Sequence, residues 1–166
     1  MSHFPLDNQI HNNLYSAKTV RDIDQAAISE LNNGAIKLMN RAGTAAFEEL
    51  IEAFGQPSLI TIFCGSGNNA GDGYILAGRA AQRLIAVRVI ELGDANHFSA
   101  QTQQARKFAE QNKVEFTAFS DSLVLDQGII VDSLLGTGAK GALKESYAKA
   151  VDLINHSGLP VLAMDI

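Results

Sequence analysis

Two kinds of periodicity divide the chain. Up to about Phe54 the apolar residues recur every three or four positions, and from Leu59 onward short apolar runs alternate with helical stretches. Ser16 is placed to cap a first helix running to about Leu31, with Val20, Ile23, Ala27 and Leu31 on one face. A second helix, from about Ile36 to Phe54, carries Leu38, Met39, Ala42, Ala46 and Leu50 and stops at Gly55. Beyond it, LITIFC (59–64), AVRVIEL (86–92), VEFTAF (114–119), GIIVD (128–132) and LPVLAMD (159–165) read as strands. Between them GDGYILAGRAAQRL (71–84), a polar segment from the cap Ser99 to about Asn112, and KESYAKAVDLINH (144–156) read as helices.

Apolar strands joined by helical crossovers predict an α/β fold of three layers with a mostly parallel central sheet, here preceded by two N-terminal helices. No linker, repeat or low-complexity tract interrupts residues 1–166, and Pro5, Pro57 and Pro160 each precede a candidate element. A single domain is expected. The chain stops one residue after Asp165, at the end of its fifth strand, where such sheets normally lead into a further helix, so it reads as cut short.

Composition removes several classes of function. A formal charge of -5 with scattered Lys and Arg offers no basic field for a phosphate backbone, so nucleic acid is not an expected partner. No apolar run reaches the roughly 18 to 20 residues of a membrane span. The N-terminus MSHFPLDNQIHNN has no basic region followed by an apolar one, as a secretory signal would. The single cysteine, Cys64, cannot form an internal disulfide, and a reducing, cytoplasmic setting is expected.

Ligands of parallel sheets bind outside the carboxyl ends of the strands, and three segments lie there. In GSGNNAGDGY (65–74) Gly65, Gly67, Gly71 and Gly73 permit positive φ and close approach of a ligand, ahead of a helix N-terminus. Asn68, Asn69 and Asp72 add oxygens able to meet a cation, a ribose or a reacting hydroxyl. The plainer alternative has Asp72 capping the helix and the asparagines in left-handed turn positions. In VDSLLGTGAKGAL (131–143) a strand ends in Asp132 and runs into Gly136, Gly138 and Gly141, which suits a second part of a dinucleotide-sized ligand, or else an ordinary strand-to-helix loop. Asp165 is the third. His3, His11, His97 and His156 show no zinc spacing, and Cys64 reads as a core residue rather than a nucleophile.

The order LYSAKTVRDID, LMNRAG, CGSGNNAGDGYILAGRA, VDSLLGTG and PVLAMDI, from Leu14 to Ile166, resembles the N-terminal domain of the YjeF type, the NAD(P)H-hydrate epimerases. The pairing of GNNxGDG with VDxLLGTG is more specific than either glycine loop alone. The resemblance implies a Rossmann-like sheet, a homodimer, and interconversion of the R and S forms of NADHX or NADPHX at C6 of the nicotinamide ring, so that an S-specific dehydratase, often fused in bacterial members, restores the cofactor. It places substrate contacts on Asn68, Asn69, Ala70, Gly71 and Asp72, on Gly136, Thr137, Gly138, Ala139, Lys140, Gly141 and Ala142, and on Asp165. It places potassium (K+) on Asn69 and Asp132. Asp165 is the first choice for the acid and base of the reaction, with Asp72 and Lys140 next. The chain departs from the pattern at Ala70, where glycine is common, at Asn40, where an acidic residue is frequent, and in the Pro-Ser-Gly segment expected after Ile166. Two other readings stay open: an NAD-dependent oxidoreductase with Glu91 on the adenine ribose, and a non-catalytic nucleotide-binding or dimerisation module.

Overall fold

The change of periodicity at Leu59 is where the sheet begins. The computed structural model describes residues 15–30, 33–136, 138, 139 and 141–164. Residues 1–34 and 35–166 form two compact units. In the first, helix α1 (Ala17–Glu30) starts where expected: Ser16 Oγ accepts from the Thr19 N–H at 3.1 Å, and Lys18 pairs with Asp22 one turn on.

Helix α2 (Gly34–Phe54) ends at Gly55, whose φ of 71° is the left-handed stop a glycine provides. Then come β1 (Ile60–Cys64), α3 (Asn68–Gln82), β2 (Val87–Glu91), α4 (Ala100–Gln111), β3 (Glu115–Ala118), β4 (Ile129–Ser133), α5 (Glu145–His156) and β5 (Val161–Ala163). All four pairings are parallel, in the order β3-β2-β1-β4-β5. β1 is therefore central, with Ile62 level with Val89 on one side and Val131 on the other. It is buried at every residue, which is why it reads as a continuous apolar run rather than an alternating one.

Alternate side chains serve opposite faces of the sheet. Ile60, Ile62, Cys64, Val89 and Val131 pack with Met39, Phe47 and Leu50 of α2, Tyr74 and Ile75 of α3, and Ala105 and Ala109 of α4. Phe63, Ile90, Ile130 and Leu134 pack with Tyr147, Ala150 and Ile154 of α5 and with the 119–125 connection. The result is the three-layer, Rossmann-like arrangement that the sequence predicts. The chain leaves β1 toward β2 on one side and β4 toward β5 on the other, so the order reverses between β1 and β4. That reversal opens a crevice at the carboxyl ends of these two strands.

A polar network lies inside the first cluster. Glu91 Oε1 accepts from Tyr74 Oη at 2.8 Å and from Arg106 Nε at 2.7 Å, Glu91 Oε2 accepts from Arg106 Nη2 at 3.1 Å, and the guanidinium lies 4.5 Å over the Phe116 ring. Burial is the main cause that pushes the Tyr74 hydroxyl and the Cys64 thiol well above their ordinary pKa values, with Glu91 adding to both. The folded state thus keeps protons that the unfolded chain releases above roughly pH 8.5 for a thiol and 10 for a phenol. Stability is expected to be fully present below those values and to fall as pH rises beyond them. A urea midpoint lower at pH 10.5 than at pH 8 is the predicted result, and an unchanged or higher midpoint would contradict it.

Candidate functional site

Strand β1 ends at Cys64, and helix α3 begins only three residues later, at Asn68. The helix cap is Gly67, with φ -84° and ψ -172° and no side-chain bond to the first turn. Asn68 and Asn69 are thus helical rather than turn residues, and Asp72 sits in the second turn, not at the cap. Gly65, Gly67, Gly71 and Gly73 are also not the left-handed residues that the sequence suggests. The positive-φ glycines among the described residues are Gly55, Gly128, Gly141 and Gly158.

What the first-loop glycines supply is proximity. A Cβ on Gly65 would overlap the Leu134 carbonyl and lie 3.2 Å from Tyr147 Oη; one on Gly73 would lie 2.6 Å from Ser133 Oγ; one on Gly71 would overlap the Met39 thioether. Gly71 thus lets α3 settle against α2, while Gly65 and Gly73 bring the β1 turn and α3 against the end of β4, so the two glycine loops meet at the β1/β4 switch point. Side chains then fasten them. Asn69, buried, donates from Nδ2 to Leu135 O at 2.8 Å, and Ser133 Oγ donates to Asn69 O at 2.7 Å. The Gly65 N–H reaches Ser133 O at 3.2 Å. Asp132 Oδ1 accepts from the Leu134 N–H at 3.0 Å, which holds the carboxylate toward the strand's end.

Beside this seam the second loop is open. Gly138, Ala139, Gly141 and Ala142 are exposed, Gly136 is half-buried, and Gly141 has φ 83°. The Ala139 N–H closes a turn on Gly136 O at 2.9 Å. Leu135 and Leu143 add exposed apolar surface on either side of these glycines. Thr137, Lys140 and Asp165 lie outside the described residues. Ala70 is fully buried within α3, a site where alanine replaces glycine without strain.

Asn68 is less available to a ligand than its sequence context suggests. Its Oδ1 accepts from Ser99 Oγ and Gln101 Nε2, both at 3.1 Å, which ties the start of α3 to the start of α4. The Asp94 N–H reaches Ser66 Oγ at 3.2 Å on the same side. Asp94 itself is held below the ordinary carboxylate range, first by the Asn96 N–H and then by the nearby His97 and Lys144 charges. Over β2 the crevice is therefore filled by protein, and over β4 the described loop residues Gly138, Ala139, Gly141 and Ala142 are exposed.

Glu91, the candidate for a ribose contact, is spent on Arg106 and Tyr74, which removes the dehydrogenase-like use of that position. Cys64 is a buried thiol with a raised pKa, a core residue and not a nucleophile. Sequence reasoning passed over Ser133, Leu135 and Tyr147, because their placement depends on contacts with distant parts of the chain. A hollow of about 320 Å³ lined by Asn40, Arg41, Thr44, Ala45, Glu48 and Arg79, and another of about 620 Å³ near Leu59, Ile85 and Lys113, both lie away from the two glycine loops.

Residues 35–166 match the family model described as YjeF-related protein N-terminus. The chain belongs to this YjeF-related family. It is 31% identical over 155 residues to an NAD(P)H-hydrate epimerase of Limosilactobacillus reuteri, spanning 92% of this chain and 72% of that one. It is also 34% identical over 153 residues to the bifunctional NAD(P)H-hydrate repair enzyme Nnr of Coxiella burnetii, of which it spans 31%. The crystal structure of yeast ynu0, YNL200c, superposes with a TM-score of 0.73 at 18% identity, over 93% of this chain and 70% of that one, which supports the fold. Within the YjeF-related domain the two fastened loops are the two motifs that carry the resemblance. Among the described residues no helix is long and apolar enough to cross a membrane.

The same residues bear on potassium. Among the described residues no cluster of three or more His, Cys, Asp or Glu occurs. The donors near the seam are instead the Asp132 carboxylate, the Asn69 amide oxygen and backbone carbonyls. With Asn69 Nδ2 committed to Leu135 O, that side chain offers its oxygen as an acceptor. An all-oxygen set of low charge fits a hard, weakly polarising cation such as K+.

Proposed function

We propose that this domain interconverts the R and S epimers of NADHX and NADPHX, a repair step for damaged nicotinamide cofactors. The observation that carries the reading is the seam at the β1/β4 switch point, where the GNNxGDG helix start and the VDxLLGTG loop are bonded together in a chain whose relatives are named NAD(P)H-hydrate epimerases.

Substrate is proposed to lie over the β4 side, between the edge of α3 that carries Asn69 and Asp72 and the second glycine loop with Gly136, Gly138, Ala139, Gly141 and Ala142, while Ala70 and Gly71 are buried behind the α3 edge and shape it from within. Asn68 acts at one remove, by holding α4. Epimerisation at C6 breaks the C6–O bond and remakes it. Asp165 is proposed to give a proton to the departing hydroxyl, which leaves as water while the N1 lone pair forms the N1=C6 iminium. The resulting carboxylate then takes a proton from a water adding to either face, so one water leaves, one enters, and no electron pair is transferred to a second substrate. Bound at Asn69 and Asp132, K+ would supply charge that organises the loops rather than strong Lewis acidity.

A dehydratase specific for the S form is the proposed functional partner, the active species is proposed to be a homodimer, and the single buried thiol suits a cytoplasmic setting. In a coupled assay, an S-specific dehydratase alone should consume only the S fraction of mixed NADHX quickly. Adding this chain should carry the rapid phase to completion. A rapid phase that still stops at the S fraction would refute the reading.

A further inference from the structure

We propose that Ser133 is the positioning residue that sets the spacing of the two potassium ligands, Asn69 and Asp132; the inference rests on the potassium reading above. Three observations converge on this side chain. Its hydroxyl is fully buried at the last position of β4, and a buried hydroxyl must be bonded. The bond it makes, 2.7 Å to Asn69 O, reaches the first turn of α3. One turn further, Gly73 has no Cβ; if it had, the atom would lie 2.6 Å from Ser133 Oγ and 2.9 Å from Ser133 Cβ. The α3 backbone therefore rests directly on Ser133.

Through the chain, Ser133 is also the neighbour of Asp132, whose carboxylate is held by the Leu134 N–H. Its own carbonyl accepts from the Gly65 N–H at 3.2 Å. One small residue thus touches the β1 turn, the α3 start and the Asp132 ligand together. Asn69 is fixed at both ends, its main chain by Ser133 and its amide by Leu135 O. A cation taking an oxygen from each of Asn69 and Asp132 needs that separation held to about 0.5 Å. A branched or longer side chain at 133 would lift α3 from β4, and one without a donor would free the helix start.

The test compares the full chain and its variants in KCl and in choline chloride at equal ionic strength, by thermal unfolding and by the K+ dependence of epimerisation. Outer contacts that orient metal ligands typically account for about 10- to 100-fold in affinity. Ser133→Ala is expected to need about tenfold more K+ for half-saturation, with a matching loss of the K+-specific rise in Tm. The Asn69 carbonyl keeps its helical partner, so the variant should fold. Ser133→Cys, with a weaker donor, should fall between the two and carries the test if the alanine variant does not fold. Thr61→Val, which removes another buried hydroxyl bonded to Arg88, should lower Tm equally in both salts and leave K+ half-saturation unchanged. Ser133 variants that behave like Thr61→Val would overturn the positioning role alone. A wild-type chain with no K+-specific stabilisation or activation would overturn the potassium reading and this inference with it.

Discussion

Replacing Asp165 with asparagine is expected to lower the epimerisation rate about 10²- to 10⁴-fold, the range a positioned general acid and base contributes. Asparagine keeps the size and hydrogen-bonding reach of aspartate but can neither give a proton to the departing C6 hydroxyl nor take one from the entering water. With binding proposed to be spread over the two loops, substrate affinity should change much less, so the loss should fall on kcat rather than KM. The assignment rests on the match of PVLAMDI to the family motif, since Asp165 lies outside the described residues. A variant retaining activity within a few-fold of the parent would transfer the role to Asp72 or Lys140.

The second large effect concerns Gly65. A Cβ there collides with the backbone carbonyl of Leu134, an atom that no rotamer change can move. Gly65→Ala should force the β1 turn away from the end of β4, cost about 1–3 kcal/mol or more, and separate the two loops proposed to hold the substrate. Gly67→Ala is the informative comparison. Its added Cβ meets nothing within 4 Å, and its cost should be only the modest loss of an alanine in place of a glycine cap. Urea unfolding and activity of the pair distinguish close approach from conformational freedom as the reason for these glycines. Equal damage at both positions would contradict the account.

Strands β1 and β4 are legible as short apolar runs because they lie at the centre of the sheet and are buried along most of their length, whereas the helices repeat every three to four residues. Ser99 and Gly55 were legible as helix ends because each acts through its own immediate neighbours. Helix α3 starts three residues earlier than expected because no side chain caps it, and Asn-Asn beside glycine looks like a turn until the helix forms. The glycines are visible in the sequence but their use is not: the same residue type serves a left-handed turn or a tight contact, and only the distant partner distinguishes them. Met39 and Ser133, the partners of Gly71 and Gly73, lie far along the chain.

Asn68 and Glu91 share a feature that the sequence does not display. Each carries a side chain suited to a ligand, and each is engaged by residues on α4. Ser99 and Gln101 are 31 and 33 positions from Asn68, and Arg106 is 15 positions from Glu91. The candidate site is therefore narrower than its motifs suggest. The β2 side of the crevice is packed with protein, and on the β4 side the described residues Gly138 and Ala139 are exposed and Gly136 is half-buried.

The central claim is the epimerisation itself, and the most direct measurement follows an R-enriched sample of NADHX by proton NMR in potassium buffer with a catalytic amount of this chain. The account predicts a faster approach to the same R to S ratio that the uncatalysed sample reaches, with the total hydrate unchanged. A rate no different from buffer alone, or loss of hydrate to an oxidised product, would contradict it.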